Sequence, residues 1–133
     1  MMVQMELSKI LIDEKRTDQL IILKEKGGER VLPIVIGIAE ASSIRLKLSG
    51  FNPPRPLTHD LLRSVVEHLG AKLEKVVIDK LEDSTFHAKL HFRAKDESLV
   101  IVDARPSDSI ALAVRMPSPI FVAEEVLEKA SSA

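Results

Sequence analysis

A short proline-rich stretch, PPRPLTHDLL at residues 53–62, combines an arginine, a histidine and an aspartate. Prolines on both sides of Arg55 restrict it to an extended backbone, which lowers the entropic cost of holding its guanidinium in place. His59 and Asp60 follow at the start of a predicted helix. An arginine, a histidine and an aspartate at this position indicate either the start of a helix or a site that binds a charged ligand.

A second charged stretch, DARPSDSIALAVR at residues 103–115, joins a predicted strand to a predicted helix. With Arg105 as the N-cap, Asp108 falls at the third helical position, where a carboxylate can reach a free backbone N–H. Capping is therefore one interpretation of Asp108, and substrate binding beside Arg105 is the other. Asp103 and Arg105 lie outside the helix, so they are candidates for catalysis or for a structural ion pair, with each other or with Asp60.

Glu40 lies in the first turn of another predicted helix, where the helix dipole alone can account for an acid. If the two halves of the chain pack about a pseudo-twofold axis, Glu40, Asp103 and Arg105 occupy equivalent corners and converge on one cleft. The carboxylates of Glu40, Asp60 and Asp103 are then candidate oxygen ligands for Mg²⁺ or Mn²⁺.

The same residues have structural interpretations that stay open. Thr58 is the predicted N-cap of the helix over residues 58–69, and Asp60 suits the positive end of its dipole. That dipole disfavours protonation of His59, which leaves a neutral ring able to act as a general base. Four serines near the predicted helix starts are interpreted as helix-start residues with no base beside them, so no serine nucleophile is predicted; they are Ser42, Ser43, Ser107 and Ser109.

Hydrophobic periodicity predicts an α+β fold in which strand, strand, strand, helix, helix occurs twice. The strand over residues 84–92 alternates cleanly, with His87, Lys89, His91 and Arg93 on its polar side. A solvated face is the favoured interpretation of this basic stripe, and a track for a phosphate backbone is the alternative.

The helix over residues 58–69 carries an apolar stripe of Leu61, Leu62, Val65, Val66 and Leu69. The predicted strands cover 3–12, 19–24, 31–38, 73–81, 84–92, 98–102 and 119–122, and the other helices cover 40–48, 106–116 and 123–129.

The two halves align at a constant offset of 66 residues, with LSKILID at residues 7–13 over LEKVVID at residues 73–79. This pattern favours an internal duplication, with halves at about 1–66 and 67–133. We therefore expect residues 1–133 to form one two-lobed domain.

Composition limits the function classes. The net charge is −1, from 19 basic and 20 acidic residues, and the chain has four Phe with no Trp or Tyr. A basic surplus and stacking aromatics are typical of tight nucleic-acid binders, so any contact with DNA or RNA is expected to be weak and transient. With no cysteine, no secretory signal and no apolar run near the ~20 residues of a membrane span, we expect a cytoplasmic protein without membrane contact. We expect a homodimer, because twofold assembly is the commonest choice.

Three stretches together resemble the bifunctional nuclease domain family: LPIVIGIAEASSI, PRPLTHDLL and DARPSDSIALAVR, in this order. The resemblance extends from about Leu7 to Val126. It implies an α+β fold with an internal duplication, and it implies cleavage of both DNA and RNA, as described for plant members. The family often has alanine where this chain has Ser109.

The leading hypothesis is therefore a nuclease in which Arg55 and Arg105 bind phosphate and His59 is the general acid or base. Two alternatives use the same charged corners. One is a non-enzymatic, dimeric binding module, which the near-neutral charge favours. The other is a hydrolase of small phosphate esters, which would spare oligonucleotides.

Overall fold

A computed structural model describes residues 1–13 and 15–131, and it confirms the α+β class. Over these residues the chain forms seven strands and four helices. In chain order they are β1 (Met2–Leu11), β2 (Asp18–Glu25), β3 (Val31–Gly37), α1 (Ile38–Leu48), α2 (Thr58–His68), β4 (Lys72–Glu82), β5 (Thr85–Arg93), β6 (Leu99–Ala104), α3 (Pro106–Arg115), β7 (Ile120–Ala123) and α4 (Glu124–Ser131). Each predicted element is present within one or two residues of its expected bounds.

One mixed sheet runs through both halves of the chain, in the order β3-β2-β1-β7-β4-β5-β6. Each half contributes an antiparallel three-stranded meander. The short strand β7 joins the two meanders, because it pairs antiparallel with β1 and parallel with β4. The halves thus share one sheet. Descent from an internal duplication stays a prediction.

Helix α3 is the centre of the core. Ile110, Ala111 and Leu112 have no exposed surface, and α3 contacts α1, α2, β4 and β5. The sheet meets it with the apolar side of β5, where Ala88 and Leu90 are buried and the basic side chains face away, as the alternation predicted. Burying one Leu or Ile side chain stabilises the fold by about 1.5–3 kcal/mol. Helix α3 is therefore the rigid element on which the neighbouring helices are positioned.

Of the apolar stripe of α2, Val66 packs against the core and the other four residues are exposed. Leu61 is 56% exposed and Leu69 is 72% exposed, and the buried residue of this helix is His59. Helix α2 contacts α3, and the buried residue of α2 is polar. Since burying an imidazole requires hydrogen-bond partners, the position of α2 depends on what His59 binds.

The predicted N-cap of α2 is wrong by one residue. Leu57 is the N-cap, and Asp60 at the third helical position accepts a hydrogen bond from the backbone N–H of Leu57 at 3.0 Å. Thr58 therefore lies inside the first turn. At α3 the predicted N-cap, Arg105, is confirmed, with Pro106 at the first helical position.

Candidate active site

His59 is held between a hydroxyl and a carboxylate from two other helices. Its Nδ1 lies 2.7 Å from Oγ of Ser43 on α1, and its Nε2 lies 2.9 Å from Oδ1 of Asp108 on α3. The prediction that no base lies beside Ser43 was therefore wrong. Ser43 and His59 are 16 residues apart, and no local motif links them. The available signal was the 66-residue offset, which aligns Ser43 with Ser109, the neighbour of Asp108.

The ionisation of Asp108 determines which ring nitrogen of His59 carries the hydrogen. Burial opposes ionisation of Asp108, but hydrogen bonds from His59 and Arg105 outweigh it, so the pKa of this carboxyl lies below its usual range. An ionised Asp108 accepts a hydrogen bond from the N–H at Nε2 of His59. In the neutral ring Nδ1 then has a free lone pair and accepts the hydrogen bond from the Ser43 hydroxyl. This arrangement joins nucleophile, base and orienting acid.

Arg105 supplies positive charge at the same place. Its Nη2 lies 2.7 Å from Oδ2 of Asp108, and its Nη1 lies 3.5 Å from Oε1 of Glu40. The hydrogen bond to Asp108 raises the pKa of the guanidinium above its usual range, so Arg105 is always charged. The side chain is nevertheless 66% exposed. A guanidinium that is fixed at one side and open at the other is suited to bind an anion.

These side chains line a cleft of about 570 Å³. Its walls come from the first half of α1, the start of α2 and the start of α3. The lining residues are Ala39, Glu40, Ser42, Ser43, Leu46, Pro56, Leu57, Thr58, His59, Arg105 and Asp108. The backbone N–H groups of the first turn of α2 carry the positive end of its dipole, which favours a bound anion here.

Arg115 holds the three helices together and was missed from the sequence. Its side chain is only 2% exposed. Nε donates to Oδ1 of Asp60 at 2.7 Å, Nη1 donates to the carbonyl of Ala111, and Nη2 donates to the carbonyl of Ser43 at 3.2 Å. Burial disfavours ionisation of Asp60, but Arg115 and the N–H of Leu57 prevail and lower its pKa. Asp60 is thus a structural partner of Arg115.

The sequence model of the bifunctional nuclease domain matches residues 21–133. The chain belongs to this family. It is 44% identical over 121 residues to an uncharacterized protein of Mycobacterium tuberculosis, a match that covers 91% of this chain and 71% of the relative. It is 27% identical over 105 residues to bifunctional nuclease 1 of Oryza sativa and 26% identical over 114 residues to bifunctional nuclease 2 of the same species. Those matches cover 77% and 84% of this chain but only 32% and 35% of the rice proteins.

Two predicted site residues of this bifunctional nuclease domain lie apart from the cleft lining. Asp103 lies within β6, is 77% exposed, and pairs across the strands with Lys89 at 3.3 Å. Its ion pair is therefore with a residue of β5 and not with Arg105 or Asp60. Arg55 is exposed and makes no hydrogen bond or ion pair that involves the described residues, although the next residue, Pro56, lines the cleft.

The three predicted metal ligands do not come together. Glu40 faces Arg105, Asp60 binds Arg115, and Asp103 binds Lys89. Within residues 1–13 and 15–131 no group of three His, Asp or Glu side chains is arranged to hold a metal ion. The carboxylates of the cleft are already neutralised by arginine or hydrogen-bonded to histidine, so the described residues do not fit a carboxylate metal centre.

The basic stripe of β5 is confirmed as a polar face, and it is partly neutralised. Lys89 lies between Asp79 and Asp103, and Arg93 pairs with Glu74 at 2.9 Å. These pairs support the solvated-face interpretation.

Among the described residues, no helix has both the length and the apolar character needed to cross a bilayer.

Proposed function

We propose that this chain is a nuclease that hydrolyses phosphodiester bonds of DNA and RNA at the cleft between α1, α2 and α3. The observation that carries the proposal is the position of His59, which is hydrogen-bonded to Ser43 and Asp108 beside the exposed guanidinium of Arg105. Membership of the bifunctional nuclease domain family and the names of the rice relatives support it.

Each group has a role in the proposed reaction. Arg105 binds the phosphodiester and stabilises the charge that develops on its oxygens. His59 accepts a proton from the attacking group and donates one to the leaving oxygen. Asp108 holds the imidazole in the required tautomer, and Glu40 holds Arg105 from the other side. These contacts address the phosphate and not the bases, so we expect little discrimination between sequences or between DNA and RNA.

Binding is expected to be weak and transient. The net charge of −1 gives no long-range attraction for a polyanion, and the cationic groups at the cleft are few. Arg55 supplies an additional cation close to Pro56 and is proposed to contact a phosphate of the bound strand.

A requirement for Mg²⁺ or Mn²⁺ stays a prediction. A cation bound by Glu40 and Asp108 would have to displace Arg105 from both carboxylates. If cleavage activity persists in the presence of a chelator, Arg105 stabilises the charge on the phosphate. If the chelator abolishes activity and only a divalent ion restores it, the cation displaces Arg105 from the two carboxylates.

The test is cleavage of end-labelled single-stranded DNA and RNA by the wild type, His59→Ala and His68→Ala, purified side by side. His68 is an exposed histidine on the same helix, so its variant controls for purification and for contaminating nucleases. We expect His59→Ala to lose activity and His68→Ala to retain it. Equal activity in all three preparations would refute the site. Hydrolysis of nucleotides with intact oligonucleotides would favour a small phosphate esterase, and no hydrolysis at all would favour a binding module.

We also propose a homodimer in which two β6 strands pair antiparallel about a twofold axis. Strand β6 ends the sheet, and Leu99, Val100, Ile101 and Val102 are all exposed. The opposite edge strand, β3, contains Pro33, which has no N–H to offer another strand. Strand β6 contains no proline, and pairing of two identical edges would continue the sheet and cover its apolar side chains.

A cytoplasmic location stays a prediction, which cell fractionation would test.

A further inference from the structure

We propose that Ser43 is the nucleophile of this site and that cleavage proceeds through a covalent nucleotidyl-serine, a phosphodiester between Oγ of Ser43 and one fragment of the cleaved strand. This inference rests on the proposed nuclease function and deepens it. It assigns a catalytic role to a residue that touches the cleft and has the base within hydrogen-bond distance.

The first support is the order of the hydrogen bonds. A serine hydroxyl is a weak nucleophile unless an adjacent base takes its proton. Oγ of Ser43 lies 2.7 Å from Nδ1 of His59, and the opposite ring nitrogen is 2.9 Å from the carboxylate of Asp108. The proton on His59 is therefore directed to Asp108, and the unprotonated nitrogen faces the hydroxyl.

A second serine–histidine pair in the same chain lacks this order. Oγ of Ser64 lies 3.3 Å from Nδ1 of His68, but that nitrogen is only 2.7 Å from the carbonyl oxygen of Ser64. Since a carbonyl can only accept, Nδ1 of His68 carries a proton and cannot activate the hydroxyl. Within the described part of the chain, no carboxylate is hydrogen-bonded to His68. Ser64 is thus a built-in comparison for Ser43.

The backbone at Ser43 is also fixed. Ala41 and Ile44, close by on α1, have no exposed surface, and the carbonyl of Ser43 accepts a hydrogen bond from buried Arg115. A nucleophile has to be held at a set distance from the bound phosphate, because a small misplacement slows the reaction severely. This anchoring satisfies that need while the hydroxyl remains at the cleft.

The reaction has two balanced steps. In the first, Oγ of Ser43 attacks phosphorus as its proton moves to Nδ1 of His59. The Oγ–P bond forms, the bond from phosphorus to the leaving nucleotide oxygen breaks, and His59 protonates that oxygen. In the second, water attacks phosphorus of the nucleotidyl-serine and gives a proton to His59. The Oγ–P bond breaks, and His59 returns the proton to Ser43.

The nucleophile can be tested without a nucleic acid. An alkyl fluorophosphonate reacts with an activated serine: an Oγ–P bond forms, fluoride leaves, and the hydroxyl proton goes to the base. We expect mass spectrometry of the labelled wild type to find the adduct on Ser43 and not on Ser64. The adduct should disappear in His59→Ala. Absence of a Ser43 adduct, or equal labelling of both serines, would overturn the proposal.

The stereochemistry at phosphorus tests the covalent step. When a phosphorothioate diester of known configuration is cleaved in water that carries a heavy oxygen isotope, the labelled product should show retention, because two displacements each invert phosphorus, whereas direct attack by water gives inversion. We also expect Ser43→Ala, His59→Ala and the double variant to lose activity by similar factors, since a nucleophile and its base act as one unit. Cleavage with inversion would overturn the serine role and leave the nuclease function standing. If the fluorophosphonate labels Ser43 but the protein cleaves no oligonucleotide, Ser43 is an activated nucleophile and the nuclease function is refuted.

Discussion

Nε of Arg115 lies 2.7 Å from Oδ1 of Asp60, and this buried ion pair connects α3 to the first turn of α2. The same guanidinium holds the carbonyl of Ser43 on α1. Ser43, His59 and Asp108 stand on three different helices, so the geometry of the site depends on how these helices are fixed to one another. Arg115 touches none of the three reacting side-chain groups, and its role is to position them.

Replacing Arg115 with Met should therefore destabilise the protein and loosen the site. Breaking this pair leaves Oδ1 of Asp60 without its donor and removes the Arg115 hydrogen bond to the Ser43 carbonyl, and we expect a loss of roughly 2–4 kcal/mol in the free energy of unfolding. Urea denaturation measures this loss. Arg63→Ala is the matched control, because Arg63 is an exposed arginine with a 3.4 Å pair on α2 and should cost less than about 1 kcal/mol. Similar losses in both variants would contradict the central role of Arg115.

Removing the base should be the most damaging change for catalysis. His59→Ala is expected to lower kcat/KM for oligonucleotide cleavage by roughly 100- to 10,000-fold, the usual contribution of general acid–base catalysis. His68→Ala should leave it unchanged. Circular dichroism of each variant checks that the fold is retained. A loss in His59→Ala that tracks unfolded protein would point to a structural histidine.

Substitution of the two aspartates of the second charged stretch, Asp103 and Asp108, should have very different effects on the cleavage rate. Asp108→Asn removes the acceptor that orients His59, and we expect a loss of cleavage similar in kind to that of a base variant. Asp103→Asn changes an exposed pair on the sheet and should leave cleavage within about twofold. Steady-state rates of both variants measure the difference. The reverse result would restore the prediction that Asp103 is catalytic.

Removing the exposed cation should weaken substrate binding. Arg105→Ala is expected to raise KM and to lower kcat, because the guanidinium contacts the phosphate before and during the reaction. Arg105→Lys keeps the charge but loses the planar pair of donors, so we expect only partial rescue. Full activity with lysine would show that charge alone suffices.

Stability should fall in acid because of Asp60 and Asp108. Both carboxyls have a pKa below their usual value of 3.8, so the folded protein binds their protons more weakly than the unfolded chain does. Their contribution is complete above the unfolded pKa and is lost as the pH falls through the folded values. Chemical denaturation between about pH 6 and pH 2 should therefore show a decline below about pH 4. The decline should be shallower in Asp60→Asn and unchanged in Glu29→Gln, which alters an exposed carboxyl.

The proposed dimer predicts a selective effect of charge on β6. Ile101→Lys should give a monomer in sedimentation equilibrium, because it places an ammonium in the centre of the new strand pair. Val35→Lys on the opposite edge, where Val35 is equally open to solvent, should remain dimeric. A wild type that sediments as a monomer would refute the dimer. Dissociation by Leu61→Lys instead would move the interface to the apolar stripe of α2.

The sequence by itself determined the elements and the residue types available for chemistry. Alternation in residues 84–92 and the capping residues near Pro106 depend on neighbours within a few positions, so each was readable locally. The motifs also led to His59, Arg105 and Asp108, since prolines and helix starts mark where polar side chains are held.

Only the tertiary structure decided which of these side chains meet. Ser43 lies 16 residues from His59, and Asp108 lies 49 residues beyond it, so their contact depends on the packing of α1 and α2 against α3. No local pattern singled out Arg115, whereas Asp103 was predicted to be a site residue; packing buried the first and left the second on the open sheet. Residue charge limits which ion pairs and hydrogen bonds are possible. Which of them form depends on which side chains the fold buries together, and burial is a property of the whole fold.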